Sequence, residues 1–99
     1  MVEYPSNESL KIIKKWDITK QGIMPLVNFV MNIWHWDNYA ILKGNSLQLH
    51  TGGWSGNEDI ISALKSNLWW SVCWRKSTCG GHYWFEVKEL RKEEIKKED

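Results

Sequence analysis

Ninety-nine residues, 42% of them hydrophobic and 25% charged, make one folded domain with a modest core and exclude a disordered chain. The formal net charge of +1 excludes a global field that recruits nucleic acid or membrane, so any basic site must be local. No apolar run is long enough to span a bilayer, and Met1-Val2-Glu3-Tyr4-Pro5 lacks the charged-then-apolar pattern of a secretion signal, so the chain is expected in the cytosol with no membrane partner.

The first predicted helix covers residues 5–21. Pro5, Ser6 and Asn7 open it, Leu10, Ile13 and Trp16 share a face, and Gly22 ends it. A second helix starts near Pro25 and carries the stripe Leu26, Phe29, Val30, Ile33 and Trp34. Tyr39–Lys43 and Ser46–His50 flank Gly44-Asn45 and predict a hairpin with a two-residue turn. That turn pairs Leu42 with Leu47 and Ala40 with Leu49 on an apolar face. It pairs Lys43 with Ser46, Ile41 with Gln48 and Tyr39 with His50 on a mixed one.

A glycine-rich stretch leads into a third helix, about 56–67, with Ile60, Ile61, Leu64 and Leu68 on its buried side. A second hairpin is predicted from Trp69–Ser77 and His82–Lys88 around Gly80-Gly81. It sets Trp74 against Val87, Lys76 against Phe85 and Thr78 against Tyr83, with Trp70 and Val72 on the same greasy face. Arg75 with Glu86, Ser77 with Trp84 and Cys79 with His82 lie opposite. Residues 1–88 are thus expected to form one α+β domain of order α-α-β-β-α-β-β, a four-stranded antiparallel sheet from two hairpins with helices packed on it. Residues 89–99 alternate Lys/Arg with Glu and read as a solvated, fraying helical tail.

His50-Thr51-Gly52-Gly53-Trp54-Ser55-Gly56-Asn57-Glu58 is the most distinctive string. Three glycines in five residues let the backbone approach a ligand, and a helix N-terminus with free N–H groups follows. That combination suits an anion or phosphate, although no Lys-Ser/Thr pair follows the glycines as in a Walker loop. A structural reading stands beside it. Ser55-x-x-Glu58 is a capping box, and the glycines turn a strand into a helix. Trp54 has no staple partner in that register, since Asp59 occupies the position, so it is left to stack on a flat ligand or to bury in another subunit.

The mixed sheet face gathers Tyr39, His50, Trp69, Arg75, His82, Trp84 and Glu86, cations among aromatic rings as a base plus phosphate requires. On the opposing reading the first two helices cover this face and Arg75–Glu86 is structural. Eight tryptophans exceed the needs of so small a core. The surplus lines a pocket or an interface, or else makes the core tryptophan-heavy.

Cys79-Gly80-Gly81-His82 is half a metal site without a second pair of ligands, so no metal and no cofactor is expected. Cys73 and Cys79, on one predicted strand roughly 20 Å apart, should not form a disulfide. No residue is assigned a catalytic role. His50 or His82 with Glu58 or Glu86 is the sole acid–base pairing on offer.

The glycine string, together with Ile60-Ile61-x-Ala63-Leu64, Trp69-Trp70, Cys73-Trp74, Gly80-Gly81-His82-Tyr83 and Phe85-Glu86, resembles a group of small proteins encoded by bacteriophages. The similarity spans about residues 47–87. It implies a phage accessory protein acting in the cytoplasm of its bacterial host, where such proteins counter host defence by sequestering nucleotide-derived signals or by plugging a defence protein.

The leading expectation is a non-enzymatic, oligomeric binder of a small anionic, nucleotide-like ligand. Thr51, Gly52, Gly53, Ser55, Gly56 and Asn57 would hold phosphate, Trp54 with Trp69 or Trp84 would stack on the base, and His50, Arg75 and His82 would complete the site. The alternatives are a protein-binding inhibitor of a host defence protein with a Trp-rich surface, and a small nucleotide hydrolase.

Overall fold

The computed structural model describes residues 4–89. Helix α1 (Asn7–Lys15) is capped by the Ser6 hydroxyl, which accepts from the Ser9 N–H at 3.0 Å. The single helix expected over 5–21 is broken at Trp16-Asp17. Asp17 starts a new short helix, α2 (Ile18–Gln21), by accepting from both the N–H and the hydroxyl of Thr19. An Asp that bonds its own downstream backbone competes with helix continuation, and here it wins.

Gly22 ends α2 as expected, and α3 (Ile23–Ile33) follows at once. Its buried stripe is Ile23, Leu26, Val27 and Val30, continued by Trp34. Glu89, read from sequence as the first residue of a solvated tail, caps this helix instead. Its carboxylate accepts from the N–H groups of Ile23 and Met24, each at 2.8 Å, where the helix end favours negative charge. The rest of the predicted tail, 90–99, lies outside the described residues.

A 3-10 turn (Asp37–Tyr39) leads into β1 (Ala40–Lys43), which pairs with β2 (Ser46–His50) in the expected register from Ala40–Leu49 to Lys43–Ser46. Tyr39 belongs to the turn rather than to the strand. Helix α4 (Ser55–Lys65) buries Ile60, Ile61 and Leu64. Leu68, expected on the same face, is 60% exposed.

The second hairpin departs most from expectation. Trp69–Cys73, expected as strand, belongs instead to a helix, α5 (Leu68–Cys73), capped by the buried side chain of Asn67. The Asn67 amide also donates to the carbonyls of Ile13 and Trp16, both at 2.8 Å, tying α5 to the end of α1. Strand β3 (Trp74–Thr78) therefore starts late, and it meets β4 (His82–Glu86) across the three-residue turn Cys79-Gly80-Gly81. The longer turn slips the register by one: Thr78 faces His82, Ser77 faces Tyr83 and Lys76 faces Trp84. A bulge at Arg75 lets Trp74 pair with Phe85 and still leaves the expected Arg75–Glu86 ion pair at 3.1 Å.

The four strands form one antiparallel sheet in the order β1-β2-β4-β3, and with its helices the chain is an α+β protein. Ala40, Leu47, Leu49, Phe85 and Val87 point into the core with the helices. Trp69 and Trp70 of α5 pack on Phe85, at 4.8 and 5.3 Å between ring centres. The mixed face is therefore the uncovered one, and the reading in which helices hide it is corrected. Its residues are half-buried (Ile41, Gln48, Trp84, His50, His82) or exposed (Lys43, Ser46, Lys76, Thr78, Glu86). Among the described residues no helix is long and apolar enough to cross a membrane.

Candidate functional site

The glycine loop is filled by the protein's own rings. Thr51 is buried, with its N–H donating to the Gly81 carbonyl at 2.9 Å. Its hydroxyl accepts from the Gly53 N–H. Gly52 has φ +63°, and a Cβ placed there would lie 2.6 Å from the Trp36 ring and 2.9 Å from Tyr39. Gly56 is helical, but a Cβ on it would lie 2.4 Å from the Trp54 ring. These glycines admit aromatic side chains of this chain where the sequence suggested phosphate.

Trp54 finds intramolecular partners as well. It stacks between Tyr4 (4.9 Å) and His35 (4.4 Å) and folds back over Gly56. The capping box does not form: Trp54 itself is the N-cap, with no side-chain cap, and the Ser55 hydroxyl donates to the Tyr4 phenol oxygen. Asn57, 0% exposed, is a clamp. Its Oδ1 accepts from the His35 N–H at 3.0 Å, and its Nδ2 donates to the carbonyls of His35 (3.1 Å) and Thr51 (3.3 Å). Thr51, Gly56 and Asn57 are thus buried structural residues. So is Trp69, which is 1% exposed against Phe85 and out of reach of any surface ligand.

The open sheet face keeps the remaining expected residues together. Trp84 is its centre, half-buried, with Gln48 beside it on β2 and Lys76 beside it on β3. The Lys76 ammonium stands 4.5 Å from the centre of the Trp84 ring, a cation–π pair. Toward one end lies a groove of about 430 Å³ lined by Lys43, Asn45, Ser46, Arg75, Trp84 and Glu86. Arg75 is pinned there, its Nη1 donating to the carbonyls of Val72 and Trp74 while Nη2 meets Glu86. Both partners of that ion pair are about half exposed, so the pair itself contributes little and leaves the guanidinium available to a stronger anion. Three cations and one carboxylate give this patch a local positive balance that the whole chain lacks.

Toward the other end, His50 and His82 face each other across the strands, Nδ1 to Nδ1 at 2.8 Å. One proton fits between them. Gln48 Oε1 lies 3.2 Å from His50 Nε2; in the tautomer that donates there, His50 Nδ1 accepts and His82 Nδ1 donates. Burial, and then the neighbouring His82, hold the His50 pKa below the ordinary histidine value. An unfolded His50 takes up a proton on acidification before the folded one does. Stability is therefore full above the ordinary histidine range and falls as pH drops through it. Melting temperature should decline between about pH 7.5 and about pH 5.5, and the decline should be shallower in His50→Gln; equal pH dependence in both proteins would refute the assignment.

The sequence pointed to His50, Arg75, His82 and Trp84 but not to Lys76, which the register expected from a two-residue turn places on the core face. Lys43, Ser46 and Gln48 were visible on the mixed face of the first hairpin and were not drawn into the site. Among the described residues the hydrogen-bond partners of the His50 and His82 imidazoles are each other and Gln48. No group of three or more His, Cys, Asp or Glu side chains is placed to hold a metal among those residues. Cys73 and Cys79 are both free, and burial pushes the Cys73 thiol up to about 12, so it stays protonated and inert. No family model matches this chain, and no curated protein or solved structure matches it either.

Proposed function

We propose that this protein is a non-enzymatic binder of a small anionic, nucleotide-like ligand, held on the open face of its sheet. The observation that carries the reading is Trp84: a half-buried indole at the centre of an uncovered sheet, with Lys76 over its ring and Lys43 and Arg75 lining the groove alongside. A flat base takes the place of the Lys76 ammonium on the indole, and the ammonium swings to the phosphate. Arg75 and Lys43 complete the anion site, and Gln48 meets the base edge. Such a ligand satisfies both halves of the face, apolar plane and positive rim, at once.

Retention without turnover is the corresponding activity. In the setting that the phage resemblance implies, the protein acts as a sponge for a nucleotide-derived defence signal in the host cytoplasm. The test is intrinsic tryptophan fluorescence and thermal shift against a panel of linear and cyclic nucleotides, followed by chromatographic recovery of the ligand. Trp84→Ala should weaken binding about 5- to 150-fold, the range for one lost stacking interaction. Trp54→Ala should lower the melting temperature and leave the affinity unchanged. A ligand returned cleaved would make the protein an enzyme. An affinity that depends on Trp54 and not on Trp84 would move the site to the glycine loop.

A further inference from the structure

The open sheet face continues past Trp84. Ser46 pairs with Glu86 at the groove end and His50 with His82 at the other, about 13 Å further along the strands. Trp84, paired with Gln48, stands midway. Beyond it lies a second hollow of about 280 Å³, lined by Asn38, Tyr39, His50 and His82. The indole touches both ends: it lines the groove, and the His50 and His82 ring centres lie 5.9 and 6.4 Å from its own. A nucleoside monophosphate with its phosphate at Arg75 and its base on Trp84 leaves this second hollow empty.

The two ends differ in chemistry. The groove has Lys43 and Arg75, and Lys76 stands beside the indole. None of the four residues around the second hollow is Lys or Arg. Its two imidazoles are engaged with each other, Nδ1 to Nδ1 at 2.8 Å, a contact that two fully protonated rings cannot make. A phosphate therefore finds no fixed pair of cations there. A heterocycle finds a flat phenol ring, 38% exposed, with the Asn38 amide beside it as donor and acceptor for a base edge. The Tyr39 ring is braced. The Trp36 ring centre is 5.4 Å from its own, and Gly52 comes so close that a Cβ there would lie 2.9 Å from it. A ring already held in place loses little freedom when a base stacks on it.

Resting on the base position given above for Trp84, we propose that the second hollow is a base subsite and that the ligand of the open face is a 5′-phosphorylated dinucleotide. Its 5′-phosphate lies in the groove, its first base on Trp84 and its second base against Tyr39, with its edge toward Asn38. From Trp84 to His82 the strand advances about 7 Å, roughly twice the spacing of stacked neighbouring bases. The two bases are therefore splayed onto separate rings, as single strands are when proteins read them.

The test is calorimetric titration of the full chain with three probes: adenosine 5′-monophosphate, 5′-phosphorylated diadenylate and adenosine 3′,5′-bisphosphate. Adenine suffices because stacking tolerates any base. The dinucleotide should bind about 5- to 150-fold more tightly than the monophosphate, the range for one added stack. Tyr39→Ala should remove most of that gain and leave the monophosphate affinity unchanged, whereas Trp84→Ala should weaken both ligands. Tyr39 also packs on Trp36, so Asn38→Ala, at an exposed position, is the second variant. It should weaken the dinucleotide alone, severalfold. Equal affinity for monophosphate and dinucleotide would overturn the subsite and leave the Trp84 reading standing. A bisphosphate that gains as much as the dinucleotide would overturn it by giving the hollow to a second phosphate. Failure of all three probes to bind would overturn the Trp84 reading and the subsite together.

Discussion

Asn57→Ala should destabilise the protein by about 2–4 kcal/mol, read as a lowered midpoint in urea unfolding with the slope unchanged. The side chain is fully buried and makes three hydrogen bonds, two to His35 and one to Thr51. Truncation leaves the His35 N–H and both carbonyls without that partner in a space too tight for easy repair, so the desolvation of those groups adds to the lost bonds. This amide ties the segment after α3 to the glycine loop, alongside the ring contacts of His35 with Trp54 and of Trp36 with Gly52. Its loss should therefore also raise hydrogen exchange across residues 35–39 and 51–54. A loss below about 1 kcal/mol would show that the clamp is incidental.

Gly56→Ala should run against the usual sign. Within a helix, alanine normally stabilises relative to glycine by about 0.5–1 kcal/mol, and Gly56 has ordinary helical geometry. Here the new methyl meets three carbons of the Trp54 ring at 2.4 to 2.7 Å. An indole held between Tyr4 and His35 is not the far end of a flexible chain, so overpacking of about 1–3 kcal/mol is expected. The double variant Trp54→Ala/Gly56→Ala should recover stability relative to the sum of the single changes, with a coupling of about 1 kcal/mol or more in a double-mutant cycle. Additive effects would mean that the ring leaves the glycine freely.

Local signals were legible where a single mechanism controlled them. Gly44-Asn45 between two alternating runs defined the register of the first hairpin from Ala40–Leu49 to Lys43–Ser46, though not its start at Tyr39, and alternation along β4 sorted His82, Trp84 and Glu86 from Tyr83, Phe85 and Val87. The run Leu68–Cys73 was not legible. Its aromatic and β-branched residues favour strand, and what makes it helix is Asn67, whose amide is fixed by carbonyls more than fifty residues earlier. The cap that Glu89 places on α3 spans a similar separation. A turn of three residues rather than two sent Lys76 to the other face of the sheet.

The candidate site followed the same division. Glycines at 52 and 56 signal close approach, and close approach occurs, but to Trp36 and Trp54 of the same chain. A sequence states that something lies against a bare Cα without saying what. The tryptophans divide likewise: Trp34 and Trp69 are core, Trp36 and Trp74 are exposed, and the rest are half-buried. Indole count alone did not separate them, because both a core and a stacking surface use the same ring.

On the proposed function, a nucleotide-like ligand sits on the open face around Trp84. The most direct measurement is a 1H–15N perturbation map of the protein with the tightest-binding nucleotide of the panel, including the tryptophan indole signals. Shifts should concentrate on Lys43, Gln48, Arg75, Lys76 and the Trp84 indole, with residues 52–57 unmoved. Shifts centred on residues 52–57, or silence across the panel, would contradict it.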